Sequence, residues 1–331
     1  MLDATIERKD FNIEEVSDKP EDELFYFVKN DAVAAEKITA PRYSYWKSVA
    51  RIFFRKKSNW VLLGLLTLLF FMSYIFPLLV KYDEMENILK PMYYNMSPSD
   101  AIKEFGFSLK WCLGAGGTGN SIFYGIWYGA RTSISLSFIC AIINMTIGIL
   151  VGAAWGYNKT LDMVMTVVHN IVADIPYILL VSVLVYVVGS GFGPFVFALT
   201  ITGWLGIAYF FRTQVLIIRD REYNLASRCL GTRLPRVISH NILPFLTSVI
   251  MTILATELPG YISYEVYLSY IGVGLSAKEP SLGRMIESAQ SAFKTFPWAF
   301  WAPVAVASML TVILYVIGQN LADASDPRTH M

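Results

Sequence analysis

At 331 residues the chain could hold two soluble domains, yet 55% of it is hydrophobic, only 16% is charged and mean hydropathy is +0.47. That balance excludes an ordinary soluble protein, and a net charge of +1 gives no global pull towards nucleic acid. Cys112, Cys140 and Cys229, like His169, His240 and His330, are scattered without ligand spacing, so neither a metal site nor a disulfide framework is expected.

In chain order, residues 1–41 are polar and acidic and read as a cytoplasmic N-terminal tail, with no cleavable signal peptide. Residues 42–59 contain "YSYWKSVARIFFRKKSN", which predicts an interfacial amphipathic helix whose Lys47, Arg51, Arg55, Lys56 and Lys57 meet lipid headgroups. The same charges place the N-terminus inside. Residues 60–80 carry no charge and are long enough for a first transmembrane helix. An extracytoplasmic loop over 81–133 follows.

That loop contains "LGAGGTGN", in which Gly114, Gly116 and Gly119 spell G-x-G-x-x-G. A dinucleotide site needs a preceding strand and an acidic residue about 20 positions on. Here the next acidic residue is Asp162, beyond a whole apolar span, so the glycines read as an external turn.

A core domain over 134–320 is expected to hold five further spans, near 134–157, 161–188, 195–218, 243–270 and 298–319. Pro176 interrupts the second of these, which neighbouring helices can tolerate. Residues 271–297 fall outside, and 321–331 form a cytoplasmic C-terminal tail. The class is all-α: a polytopic membrane protein of six transmembrane helices.

Between the fourth and fifth spans lies a polar island, 219–241, with Arg219, Arg221, Arg228, Arg233 and Arg236 against Asp220 and Glu222. Its basic excess puts it in the cytoplasm. On a helix, Leu225, Ala226, Cys229 and Leu230 share one face. Gly231 permits a tight turn and Pro235 suits the first turn of a second helix. The residues alone leave two readings: a protein-docking helix–turn–helix, or an amphipathic loop lying on headgroups.

The segment "EYNLASRCLG", then nine residues and "NILP", resembles the EAA loop of ABC importer permeases. The family pattern is Glu-Ala-Ala, three residues, Gly, nine residues, Ile-x-Leu-Pro. Leu225, Ala226 and Ser227 stand at the triplet, Gly231 at the Gly, and Asn241, Leu243 and Pro244 at the closing positions. The spacing is intact, but Leu225, Ser227 and Asn241 depart from the family residues. "YGARTSISLS" (128–137), "FRTQVLIIRDREY" (211–223), "EVYLSYIGVGL" (265–275), "PSLGRMI" (280–286) and "DASDPR" (323–328) occur in the family's order. Over about 42–328 the chain is similar to the C-type permease subunit of dipeptide and oligopeptide importers.

The resemblance implies the type I ABC importer permease fold and a non-catalytic subunit that passes oligopeptides through a prokaryotic cell membrane, both termini cytoplasmic. Glu222, Leu225, Ala226, Ser227, Arg228, Cys229, Gly231, Leu243 and Pro244 would form the loop that docks on an ATPase. The implied partners are a homologous second permease subunit, two cytoplasmic ABC ATPases, an extracytoplasmic peptide-binding protein and membrane lipid, without nucleic acid. No G-x-x-x-x-G-K-[ST] occurs, so ATP and Mg belong on the partner ATPases and this chain binds no cofactor. Dipeptide or nickel-chelate import remains open, as does a proton-coupled secondary carrier or a membrane-bound dinucleotide enzyme.

Glu257, Glu265 and Asp174 fall within predicted spans, where a carboxylate is expensive and faces protein or water. They either line the peptide path or bond neighbouring helices. Arg212, at the end of the fourth predicted span, is expected to snorkel to headgroups.

Overall fold

The computed structural model describes residues 44–84, 86–276 and 279–326. The expected tail at 1–41, the start of the 42–59 segment and the chain end with Arg328 lie outside them. In chain order the principal helices are α1 (Tyr45–Arg55), α2 (Lys57–Leu79), α3 (Pro98–Phe105), α4 (Ile122–Tyr157), α5 (Lys159–Ala173) and α6 (Tyr177–Val188). They continue with α7 (Phe192–Arg219), α8 (Glu222–Cys229), α9 (Leu234–Ile242), α10 (Thr247–Tyr270), α11 (Leu282–Ala289) and α12 (Pro297–Ser325). Among the described residues the architecture is all-α, with one isolated bridge between Ala115 and Ser121.

Helices α2, α4, α7 and α12 are each long and apolar enough to cross a membrane. The pairs α5–α6 and α9–α10 are bent by 81° and 82°, and counting each pair as one crossing gives six. Proline explains both bends. Pro176 lacks an amide donor and disfavours helical geometry at Ile175; Pro244, between α9 and α10, likewise has no amide to continue the helical bonding, although Leu243 before it stays helical.

Two boundaries differ from expectation. Helix α4 begins at Ile122, well before 134, because Ser121 caps it: its hydroxyl accepts from Tyr124 N at 3.2 Å. The 81–133 loop is shortened accordingly. The segment 271–297 contains α11, likewise capped by a serine, with Ser281 Oγ accepting from Arg284 N at 3.1 Å.

Helix α4 is the centre of the bundle and runs along α7. Gly148, Gly152 and Gly156 recur every four residues on the face that meets α7, the small-residue spacing that lets membrane helices approach. A Cβ at Gly152 would lie 2.5 Å from Ala208 O, so nothing larger than glycine fits. Helices α10 and α12 pair in the same manner, with Gly318 against Ala255.

The two ends of the bundle have different contents. At one end, α3, α11 and the 81–121 loop gather around the start of α4. At the other, α1 and the start of α2 are fastened to the end of α12: Tyr45 OH donates to Ser325 O at 2.7 Å and Asn320 Nδ2 to Asn59 Oδ1 at 2.7 Å. The start of α10 and the end of α7 share a cavity with these residues, which puts the 219–241 island at the same end.

Candidate functional site

The island folds as a helix, a tight turn and a second helix. Glu222 sits in the first turn of α8, where a negative charge complements the helix dipole. Gly231 ends it with φ +74°, a left-handed conformation that glycine adopts without penalty. Thr232 N donates to Ser227 O and Gly231 N to Arg228 O, both at 3.0 Å, which satisfies the last carbonyls of α8. Pro235 occupies the first turn of α9.

The outer face of this turn is apolar and open. Leu225 is exposed and Leu230 is 85% exposed, with Ala226 and Cys229 exposed beside them. The inner face is polar and sealed. Asn224 is 0% exposed and donates to Ile218 O at 2.8 Å. Asn241 Nδ2 donates to both Asn224 Oδ1 and Ser227 Oγ at 3.1 Å. Two departures from the family pattern, Ser227 and Asn241, are therefore bonded to each other. Sequence reasoning did not single out Asn224; its place one residue before the triplet is its only local signal.

Arg219 anchors the island to α4 through a bond from its guanidinium to Gly156 O at 3.0 Å. Arg228 lies 3.9 Å from Asp220 and over the Tyr157 ring, and Arg221 lies over the Phe245 ring. Leu243 and Pro244 do not join the exposed knob. Leu243 packs into the apolar cluster around Phe211 and Ile242, and Pro244 shapes the bend before α10.

Arg212 departs from its expected role. Its Nε donates to Asp162 Oδ1, which also accepts from Trp155 Nε1 at 2.9 Å. The guanidinium lies against Trp155 and Tyr209 and the side chain is 15% exposed. A paired, stacked arginine cannot reach headgroups; it fastens α7 to the start of α5.

The three intramembrane carboxylates fall in three different settings. Glu265 is 0% exposed and accepts from Ser133 Oγ at 2.7 Å and Ser269 Oγ at 3.1 Å. Ser133 Oγ also accepts from Leu282 N at 3.2 Å. Glu265 thus lines no open path; buried hydroxyls hold it between α4, α10 and α11. Asp174 is exposed at the α5–α6 corner. Glu257 is half-buried on the wall of a cavity of about 370 Å³ shared with Tyr177, Thr202, Tyr261 and Tyr264.

The glycines of the external loop make a turn. Gly114 and Gly119 have φ +78° and +73°, Gly116 N donates to Asn120 O at 2.9 Å, and the chain then enters the Ser121 cap. Among the described residues no strand precedes them, so the βαβ unit of a dinucleotide site is not seen there. Beside this turn, burial pushes the Glu84 carboxyl above its usual range, against an opposing pull from Arg284.

The described residues thus form a helical bundle of membrane-crossing length with an exposed, sharply turned basic loop at one end. Residues 144–331 match the model of the binding-protein-dependent transport system inner membrane component. Residues 44–98 match that of the N-terminal TM domain of oligopeptide transport permease C. The chain belongs to the binding-protein-dependent inner membrane components, the permease subunits of ABC transporters.

Among its relatives, the oligopeptide transport system permease protein AmiD of Streptococcus pneumoniae is 44% identical, over 93% of this chain and 98% of that protein. The dipeptide transport system permease protein DppC of Bacillus subtilis is 30% identical over 93% of each chain. A solved structure of the MetNI methionine ABC transporter in inward-facing form aligns with a TM-score of 0.46 and 19% identity, over 62% of this chain and 95% of that one.

Proposed function

We propose that this chain is a transmembrane permease subunit of an ATP-driven importer of oligopeptides. It forms half of a translocation pathway with a homologous second permease subunit and takes its stroke from two cytoplasmic ATPases through the 219–241 loop. An extracytoplasmic binding protein delivers the cargo. Oligopeptide is favoured over dipeptide by the higher identity to AmiD than to DppC.

The observation that carries the coupling role is the contrast between the two faces of α8. The polar Asn224–Asn241–Ser227 cluster joins α8 to α9, while Arg219 and Asn224 tie the loop to α4 and α7, so a force on the exposed Leu225–Leu230 knob has a bonded route into the bundle. A loop lying on headgroups needs no such internal fastening. On this reading the end carrying α1, the island and the close of α12 is cytoplasmic in a prokaryotic cell membrane, so both termini are cytoplasmic. ATP and Mg are held by the partner ATPases, and this chain performs no chemistry.

Driving the cycle requires cargo or nucleotide to favour one state of the bundle over another. The test is uptake of a labelled oligopeptide by cells with and without the partner ATPases. Uptake that stops without them supports the reading. Uptake that persists and follows the proton gradient replaces it with a secondary carrier.

A further inference from the structure

The cavity beside Glu257 is unlike the rest of the apolar bundle. Its volume, about 370 Å³, is at the small end of ligand pockets and suits one end of a peptide rather than a whole one. Two chain irregularities meet α10 there: the α5–α6 corner at Pro176 and the turn at Thr202–Gly203 within α7. Glu257 is the one carboxylate on the described wall, and no lysine or arginine joins it; His169 is the sole other titratable group besides tyrosine. A half-buried carboxylate without a cationic partner is costly.

The surrounding polar atoms are disposed to accept. Both amide hydrogens of Asn144 are used, to Leu199 O at 3.2 Å and Tyr261 OH at 2.5 Å, and its Oδ1 is buried without a partner. The Tyr261 hydroxyl accepts from Asn144 and lies on the same cavity wall as Glu257. Tyr177 OH is committed to Leu199 O at 2.7 Å. Thr202 Oγ1 on the wall is also buried and unpartnered. The Tyr177 and Tyr264 rings, with centroids 5.2 Å apart, add π faces. A carboxylate, spare acceptor oxygens and aromatic faces are the chemistry that recognises an ammonium ion.

We propose that Glu257, with Thr202, Tyr177 and Tyr264, forms a transit site for a primary ammonium group, the amino terminus of a passing peptide. The inference rests on the permease reading above. It gives this subunit a chemical preference of its own, additional to any made by a binding protein.

The experiment uses the complete transporter in proteoliposomes. Uptake of a lysine-free oligopeptide and of its N-acetylated form is measured for the wild type, Glu257→Gln and Glu257→Asp. Glu257→Gln should reduce uptake of the free-amino peptide about tenfold, the worth of one charge-assisted hydrogen bond, and leave the acetylated peptide within about twofold. Glu257→Asp should keep most of the preference. Selection by the binding protein cancels, because only the change between variants is read. An acetylated peptide carrying one lysine separates the sources: renewed dependence on Glu257 assigns the site to any ammonium, and none assigns it to the amino terminus. Equal loss for free and acetylated peptides would overturn the proposal and make Glu257 structural. Absence of ATP-dependent peptide uptake in the wild type would instead remove the permease reading beneath it.

Discussion

Ser133 and Glu265 are joined by a 2.7 Å hydrogen bond between residues 132 positions apart, and the same hydroxyl receives the first amide of α11. One serine therefore holds α4, α10 and α11 at a single buried point. A Cβ at Gly283 would fall 2.8 Å from Glu265 Oε1, so the amino end of α11 rests directly on the carboxylate.

Truncation should expose this dependence. Glu265→Ala strands the Ser133 and Ser269 hydroxyls and is expected to cost about 1–3 kcal/mol. Ser133→Ala should cost a similar amount, and the double variant less than the sum, since both remove the same bond. Denaturant unfolding of the purified subunit in detergent measures all three. Additive effects would show that the two residues act separately.

Gly231 tests the shape of the turn. No neighbouring atom lies within 4 Å of a Cβ built there, so a substitution meets only the cost of a positive φ. Gly231→Asn, which tolerates that conformation, should keep transport near wild type. Gly231→Val, at a cost of about 1–2 kcal/mol, should turn the knob and lower ATP-driven uptake at least about tenfold, with the protein still inserted. Equal uptake by both variants would separate the turn from coupling.

Ser227 and Asn241 make a further case. Asn241→Ile supplies the family residue but leaves Asn224 Oδ1 without its donor, and should destabilise the loop by about 1–3 kcal/mol. Ser227→Ala alone should cost less, because its hydroxyl can be replaced by water at the loop surface. A double-mutant cycle should return a coupling of about 0.5–1.5 kcal/mol, read from thermal unfolding. Zero coupling would mean that the 3.1 Å contact contributes nothing.

Asp162 and Arg212 give the fourth prediction. Arg212→Lys keeps the charge but loses the planar group packed on Trp155 and Tyr209, so it should recover little of the stability lost in Arg212→Ala. Full recovery by lysine would reduce the contact to simple charge.

Much of this architecture was legible in the sequence because the bilayer imposes long charge-free runs, and such runs are hard to mistake. What escaped were features set by single side chains. Ser121 and Ser281 start helices that composition did not mark. Arg212 looked like a headgroup anchor because its partner Asp162 lies 50 residues away. Glu265 and Glu257 are equivalent in sequence, each a carboxylate in one apolar span, and differ only in what folds around them. The knob at 225–231 was legible from spacing, whereas the Asn224–Asn241 bond beneath it depends on the turn that brings α9 back onto α8.

The coupling role itself is tested most directly at Cys229, the exposed one of the three cysteines and a member of the knob. A short photoreactive cross-linker attached to Cys229 in the assembled transporter should capture an ATPase subunit, with a yield that changes when nucleotide is trapped. The same label on Gly231→Val should lose the capture. Cross-links confined to lipid or to this chain, in a preparation that still imports peptide on ATP, would contradict the account.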